Sequence, residues 1–173
     1  MAGQLVQVAT ETVTSAVASV TLTGIDSDDV YMVAVNNFDV DTDAVTSKLR
    51  VTVSGSADST SNYDQSAKIL FANTSFSTSS GTNLDRIDFY SQGTGTGEQS
   101  NFIFYLYNFN NSSEFSFATV ESSAFDSFAR NLGRQGGFVH TVTQACDGVQ
   151  FFLSSGNIAS GSFTLFKVIW YEY

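Results

Sequence analysis

Residues Gly148-Val149-Gln150-Phe151-Phe152-Leu153-Ser154-Ser155-Gly156-Asn157-Ile158-Ala159-Ser160-Gly161-Ser162-Phe163-Thr164-Leu165-Phe166-Lys167-Val168-Ile169 decide the fold class. Two runs rich in β-branched and aromatic residues flank a short loop of Ser, Gly and Asn. The runs have strand composition and the loop has turn composition, so the segment reads as a β-hairpin. A lone strand pair is marginal in water and needs further strands to cover its apolar face. The fold class is therefore all-β: an antiparallel β-sandwich, jelly-roll-like, of about eight to ten strands.

The rest of the chain agrees. Residues 17–23 alternate polar and apolar, and residues 30–38 begin apolar on both faces, as a central strand does. In residues 47–55, Leu49, Val51 and Val53 share one face. Residues 63–72, 84–90, 101–108, 114–121 and 136–143 read as further strands. Residues 75–82 read as a polar loop and residues 93–97 as a flexible hairpin loop. Residues 122–131 place Phe125, Phe128 and Ala129 at helical spacing and predict one short helix. The long connection over residues 54–62 suggests a Greek-key crossover. With no proline in the chain, turns must rest on Gly, Asn, Asp and Ser. The 173 residues fit a single domain, 1–173, with residues 1–12 expected as an arm against a neighbouring subunit.

Charge narrows the function classes. Seventeen acidic residues face seven basic ones, a formal net charge of −10. The basic residues are scattered, so neither nucleic acid nor an anionic membrane is an expected partner. The apolar runs fall far short of the ~20 residues of a membrane helix, and no cleavable export signal is read at the start. Cys146 is the only cysteine and is expected as a small buried residue. His140 lies six positions before it. On one extended strand that spacing is about 20 Å, which excludes a thiol–imidazole dyad.

Candidate sites are few. Asp39, Asp41 and Asp43 imitate the start of a calcium loop, but Ala44 and Arg50 stand where an EF-hand needs Gly and Glu. The three read as a solvated acidic turn and no metal is expected; a looser calcium site joining them to Asp26, Asp28 or Asp29 is the alternative. Residues 93–97 lack the Gly-Lys-Ser/Thr ending of a phosphate loop, and no cofactor is expected. His140 is the only histidine, and no Gly-x-Ser-x-Gly elbow occurs. Glu114 and Glu121, seven apart, would sit on opposite faces of a strand. The triplets at Asn73 and Asn111 match the glycosylation acceptor pattern, as Ser/Thr-rich chains do by chance. No catalytic residue is assigned.

The aromatic content is the feature with a functional reading. The chain has 16 Phe and 7 Tyr. A sandwich strand buries one face, yet several strands after residue 100 carry aromatics on both. Either the core is generous or the surplus lies at a subunit interface, where aromatics are enriched. Phe151, Phe166, Trp170, Tyr171 and Tyr173 are expected at that interface.

The closing segment also carries a likeness. Gly148-Val149-Gln150-Phe151, then residues 155–161 (Ser-Gly-Asn-Ile-Ala-Ser-Gly), then Phe163-Thr164-Leu165-Phe166 resembles the C-terminal signature of a group of tailed-bacteriophage virion proteins. The strand over residues 31–37, Leu49-Arg50-Val51 and Ser61-Asn62-Tyr63 are similar in order and spacing. The chain departs from that group in having Leu165-Phe166-Lys167 where Leu-Tyr-Gly is usual, and in lacking a proline after Asn37. The resemblance implies a virion component, assembled in the host cytoplasm, with a β-sandwich fold, commonly trimeric and without catalytic residues. It implies a capsid decoration (cement) or tail-fibre subunit, with major capsid or tail proteins as partners. The alternative is a carbohydrate- or receptor-binding module that stacks host-surface glycans on Tyr or Trp. A small β-sandwich hydrolase is the third reading.

Overall fold

The computed structural model describes residues 3–73 and 75–170. These form thirteen strands and no helix. In chain order they are β1 (Gly3–Val13), β2 (Ser19–Thr23), β3 (Tyr31–Val40), β4 (Val45–Val53), β5 (Ser56–Ala57), β6 (Tyr63–Phe71) and β7 (Phe76–Leu84). There follow β8 (Ile87–Gln92), β9 (Ser100–Tyr107), β10 (Ser116–Phe125), β11 (Asn131–His140), β12 (Gly148–Leu153) and β13 (Ile158–Trp170). Eight make one antiparallel sheet in the order β1-β13-β3-β9-β10-β11-β6-β7. The other five make a smaller sheet, β2-β12-β4-β5, with β8 also paired to β4. The two pack as a sandwich, the fold class expected from the composition.

The closing segment is not a hairpin. β12 pairs with β2 and β4 in the small sheet, whereas β13 pairs with β1 and β3 in the large one. Residues 154–157 form an arch from one sheet to the other. A second arch, residues 41–44 between β3 and β4, crosses beside it. Asp41 ties the two together: its carboxylate accepts the Asn157 backbone N–H at 2.7 Å and the Asn157 amide at 2.9 Å. Asp41 N–H donates in return to the Asn157 carbonyl. Gly156, at φ +71°, is required here, because a Cβ would meet Thr42 Oγ1 at 2.2 Å.

The arches put β12 and β13 in opposite layers, so their inward side chains meet. The Phe151 ring of β12 lies 5.8 Å from Phe104 of β9 and 5.4 Å from Phe163 of β13. Phe38, Phe102 and Phe89 continue the cluster. Phe151 is thus a core residue and has no surface to offer a neighbouring subunit.

Residues 3–13, which take in most of the expected arm (1–12), form β1, paired along its length with β13 of the same chain. Three other expectations are corrected. Residues 122–131 are not helical. β10 runs to Phe125, and a tight turn closes on buried Asp126, which accepts the N–H groups of Phe128 and Arg130 and the Arg130 guanidinium. Residues 75–82 are mostly β7, an edge strand whose Ser/Thr alternation carries no hydrophobic period. Residues 93–97 join β8 of the small sheet to β9 of the large one and form no hairpin.

Phe151→Ala is expected to lower unfolding free energy by about 3–5 kcal/mol in urea titrations. The exposed Phe128→Ala should leave the midpoint nearly unchanged. Asp41→Ala should lower it too, because the arch amides of Asn157 lose their acceptor.

Candidate functional site

The large sheet has two faces, and the small sheet covers one. On β9 the inner side chains Phe102, Phe104 and Leu106 are buried, while Ile103 and Tyr105 stand outward at 46% and 41% exposure. β10 repeats the pattern with Ala118 and Val120 inside and Phe117 outside. Leu5, Trp170, Phe166, Met32, Tyr107 and Val139 extend this outer face across the neighbouring strands. The outer face of the small sheet is its opposite in chemistry. There Arg50 bonds Asp85 at 2.8 Å, and Arg86 bonds Asp85 and Asp88. Lys48 stands in the same ladder opposite Asp88.

Two concavities divide the large outer face. One, of about 500 Å³, lies over β1, β13, β3 and the end of β9, among Leu5, Met32, Tyr105, Tyr107, Val168 and Trp170. The other, of about 640 Å³, lies over β10, β11, β6 and β7. The register gives the second its shape. Thr119, Gly137, Ser66 and Ser80 are cross-strand neighbours and make a floor of small side chains. The next row, Tyr107-Phe117-Val139-Asp64, makes an aromatic and aliphatic wall. Ser80, Gly81 and Thr82 of β7 line its far end. Glu121 and Gln135, one row further along, lie outside it and line a smaller concavity with Ile103 and Tyr105. The result is a trench that crosses the strands. The sequence signal for it is Gly136-Gly137 in mid-strand; a Cβ on either would meet a neighbouring strand's carbonyl oxygen at 2.3 Å.

The residues singled out from the sequence fall elsewhere. His140 and Cys146 are not 20 Å apart. β11 ends at His140 and the following loop folds back, so Cys146 Sγ lies 4.0 Å from His140 Nδ1. Both are fully buried. Burial pushes the Cys146 thiol up to about 11, so it stays protonated at neutral pH. Burial also lowers the His140 pKa, although Asp58 Oδ2 lies 3.2 Å from Nε2. The Tyr63 ring packs at a tilt against the imidazole, and its hydroxyl donates to the Asp58 backbone carbonyl. The cluster joins three loops at one end of the sandwich.

The acidic residues do not converge on a metal site. Asp39 accepts the Val40 N–H and Asp41 is held by Asn157. Asp26 and Asp29 sit at the other end of β3, roughly 30 Å away along ten residues, where Lys167 reaches both at 3.6 and 2.9 Å. Among the described residues no group of three or more His, Cys, Asp or Glu side chains is placed to hold a metal ion. Glu114 bonds Asn108 and Glu121 bonds Gln135, so the two carboxylates have separate partners. Phe166 lies half-buried on the outer face and Trp170 is 64% exposed at its corner. Tyr171 and Tyr173 lie outside the described residues. No helix of the described residues is long and apolar enough to cross a membrane.

Fold and surface thus define an all-β sandwich with one ion-paired outer face and one aromatic outer face. No protein-family model and no curated protein matches the chain. Among solved structures it is similar to full-length tailspike protein 2 of Escherichia coli O157:H7 bacteriophage CAB120, at 10% identity and a TM-score of 0.34. The match covers 99% of this chain and 26% of the tailspike chain, about a quarter of its length. A likeness of that degree carries no argument about function.

Two measurements test the buried cluster. Cys146 should resist a thiol reagent in the native protein and react fully on unfolding. Stability should fall as pH drops below about 6.5, where the unfolded histidine takes a proton that the buried imidazole refuses. His140→Gln should flatten that part of the profile.

Proposed function

We propose that the chain is a non-enzymatic structural subunit that assembles as a homotrimer through the β1-β13-β3 half of the outer face. The observation that carries this reading is the exposed apolar surface of Leu5, Tyr105 and Trp170, set around buried Met32, on a molecule of net charge −10. Copies with that charge repel, and contact is favourable only where the surface is uncharged and apolar. The resemblance of the closing segment to tailed-phage virion proteins supports a place in the virion, as a capsid decoration or tail-fibre-type subunit bound to major capsid or tail proteins. Trp170 and Phe166 belong to the contact, and Phe151 supports it only from the core. A second role, glycan binding by a fibre-type module, is favoured by the trench over Gly137.

Sedimentation at micromolar concentration should give a mass three times the 18.6 kDa of the chain. Leu5→Lys combined with Trp170→Glu should return it to one chain's mass with the β-sheet circular dichroism unchanged. A monomeric wild type would count against self-assembly through this face.

A further inference from the structure

We infer that the free edge of β7 is a second contact between copies of this chain, made by two β7 strands pairing antiparallel about a two-fold axis at Thr78. β7 closes one side of the eight-stranded sheet, and among the described residues β6 is its one partner strand. Its outward groups follow from the ladder. Phe71 N–H donates to the Ser75 carbonyl at 3.0 Å, so these two residues form a hydrogen-bonded pair. Bonded and open pairs alternate along an antiparallel ladder. Ile69–Ser77, Ala67–Ser79 and Gln65–Gly81 are therefore bonded pairs, and Phe76, Thr78 and Ser80 turn their N–H and C=O groups away from β6.

Edges that stay single are blunted by charge, proline or a bulge. β7 has no charged residue and no proline, and its register with β6 is unbroken over residues 76–81. The irregularity comes after that run, where Asn83 takes φ +54°. The opposite edge of the sheet is blunted: the register of β1 shifts after Gln7, and β1 carries Glu11.

The occupant that fits this edge is the same strand of a second copy. A foreign strand would have to be uncharged and small in its side chains over the same length, and β7 meets that description itself. With Thr78 on the axis, Thr78 faces its own copy, and Phe76 and Ser80 face each other across it. Each outward residue of both strands is then in a bonded pair, which no other centre achieves over residues 76–81. Phe76, 64% exposed, gains a neighbouring strand. Ser77, Ser79 and Gly81, on the inner side of the edge, add no bulk to hold the strands apart. Lys68, over the Phe76 ring at 4.0 Å, stays roughly 14 Å from its copy, beyond the screening length at physiological salt. A contact of this size is small, so it forms above the micromolar range. It lies at the far edge of the sheet from the β1-β13-β3 half and joins copies whether or not they are trimers.

Sedimentation of the full chain from micromolar to millimolar concentration tests the contact. The wild-type mass should at least double over that range, whether it starts from one chain or three. Thr78→Pro removes an outward N–H and no bond to β6, and Thr78→Lys sets two lysines against each other on the axis. Each should weaken association by about tenfold or more, with the β-sheet circular dichroism unchanged. Lysine moves the net charge from −10 to −9, which alone would ease association, so a loss reports the edge. Thr78→Glu should fail likewise, and an equimolar mixture of the Thr78→Lys and Thr78→Glu chains should associate again. Phe128→Lys, away from the edge, should associate as wild type. A wild-type mass that stays constant up to millimolar chain overturns the proposal. Undiminished association of the Thr78 variants overturns it as well, as does a Lys/Glu mixture that stays apart. A starting mass of one chain counts against the trimer alone.

Discussion

The Phe151 ring, held between Phe104 and Phe163, is the central contact between the two sheets, with Phe89 on Phe102 and Phe104 beside it. It works because the chain changes layer between β12 and β13. Had the segment closed as a hairpin, Phe151 and Phe163 would lie in one sheet, and neither sheet would gain a cover for its apolar face. The arch at 154–157 is short, so it needs a fixed path. Asp41 provides that by satisfying the Asn157 amides, and the positive φ of Gly156 lets the backbone pass Thr42. The arch at 41–44 is set by the same bonds. Two layer changes are thus specified by one carboxylate, and the aromatic core follows from them.

A second consequence is geometric. Eight strands present more inner surface than a five-stranded sheet can match, and they present an equal outer surface that no other described strand covers. The outward positions of β9 and β10 could have been polar at no cost to the core. Four of them hold Ile103, Tyr105, Tyr107 and Phe117 instead, beside polar Thr119 and Glu121, while the charged pairs Arg50–Asp85 and Arg86–Asp88 sit on the opposite face of the molecule.

Period-2 alternation made most strands legible from the residues, since Leu49-x-Val51 or Phe102-x-Phe104 has one physical explanation in a half-buried strand. What alternation does not encode is which sheet a strand joins. A Ser-Gly-Asn loop serves an arch as well as a hairpin, and the difference lies in Asp41, more than a hundred residues away. The same limit explains the Cys146–His140 contact: separation along an extended strand fails once the chain turns at Thr141. β7 escaped notice because an edge strand exposed on both faces need carry no apolar period, and the turn at Asp126 imitated a helix because Phe125 and Phe128 flank it. Of the candidate site, Tyr107, Phe117 and Trp170 belonged to the aromatic surplus read from the sequence. Leu5, Met32, Ser66 and Ser80 did not, since their neighbours are set by register across strands distant in sequence.

The two halves of the outer face differ in a way that bears on what each can do. Over β1, β13 and β3 the apolar side chains are large and surround a concavity of about 500 Å³. Over β10, β11 and β6 the centre is built of Gly, Ser and Thr, so large groups stand only at the sides. The position of Gly137, in mid-strand between Thr119 and Ser66, therefore keeps the second concavity low where the first is walled by large side chains, and two differently shaped surfaces arise within a single sheet.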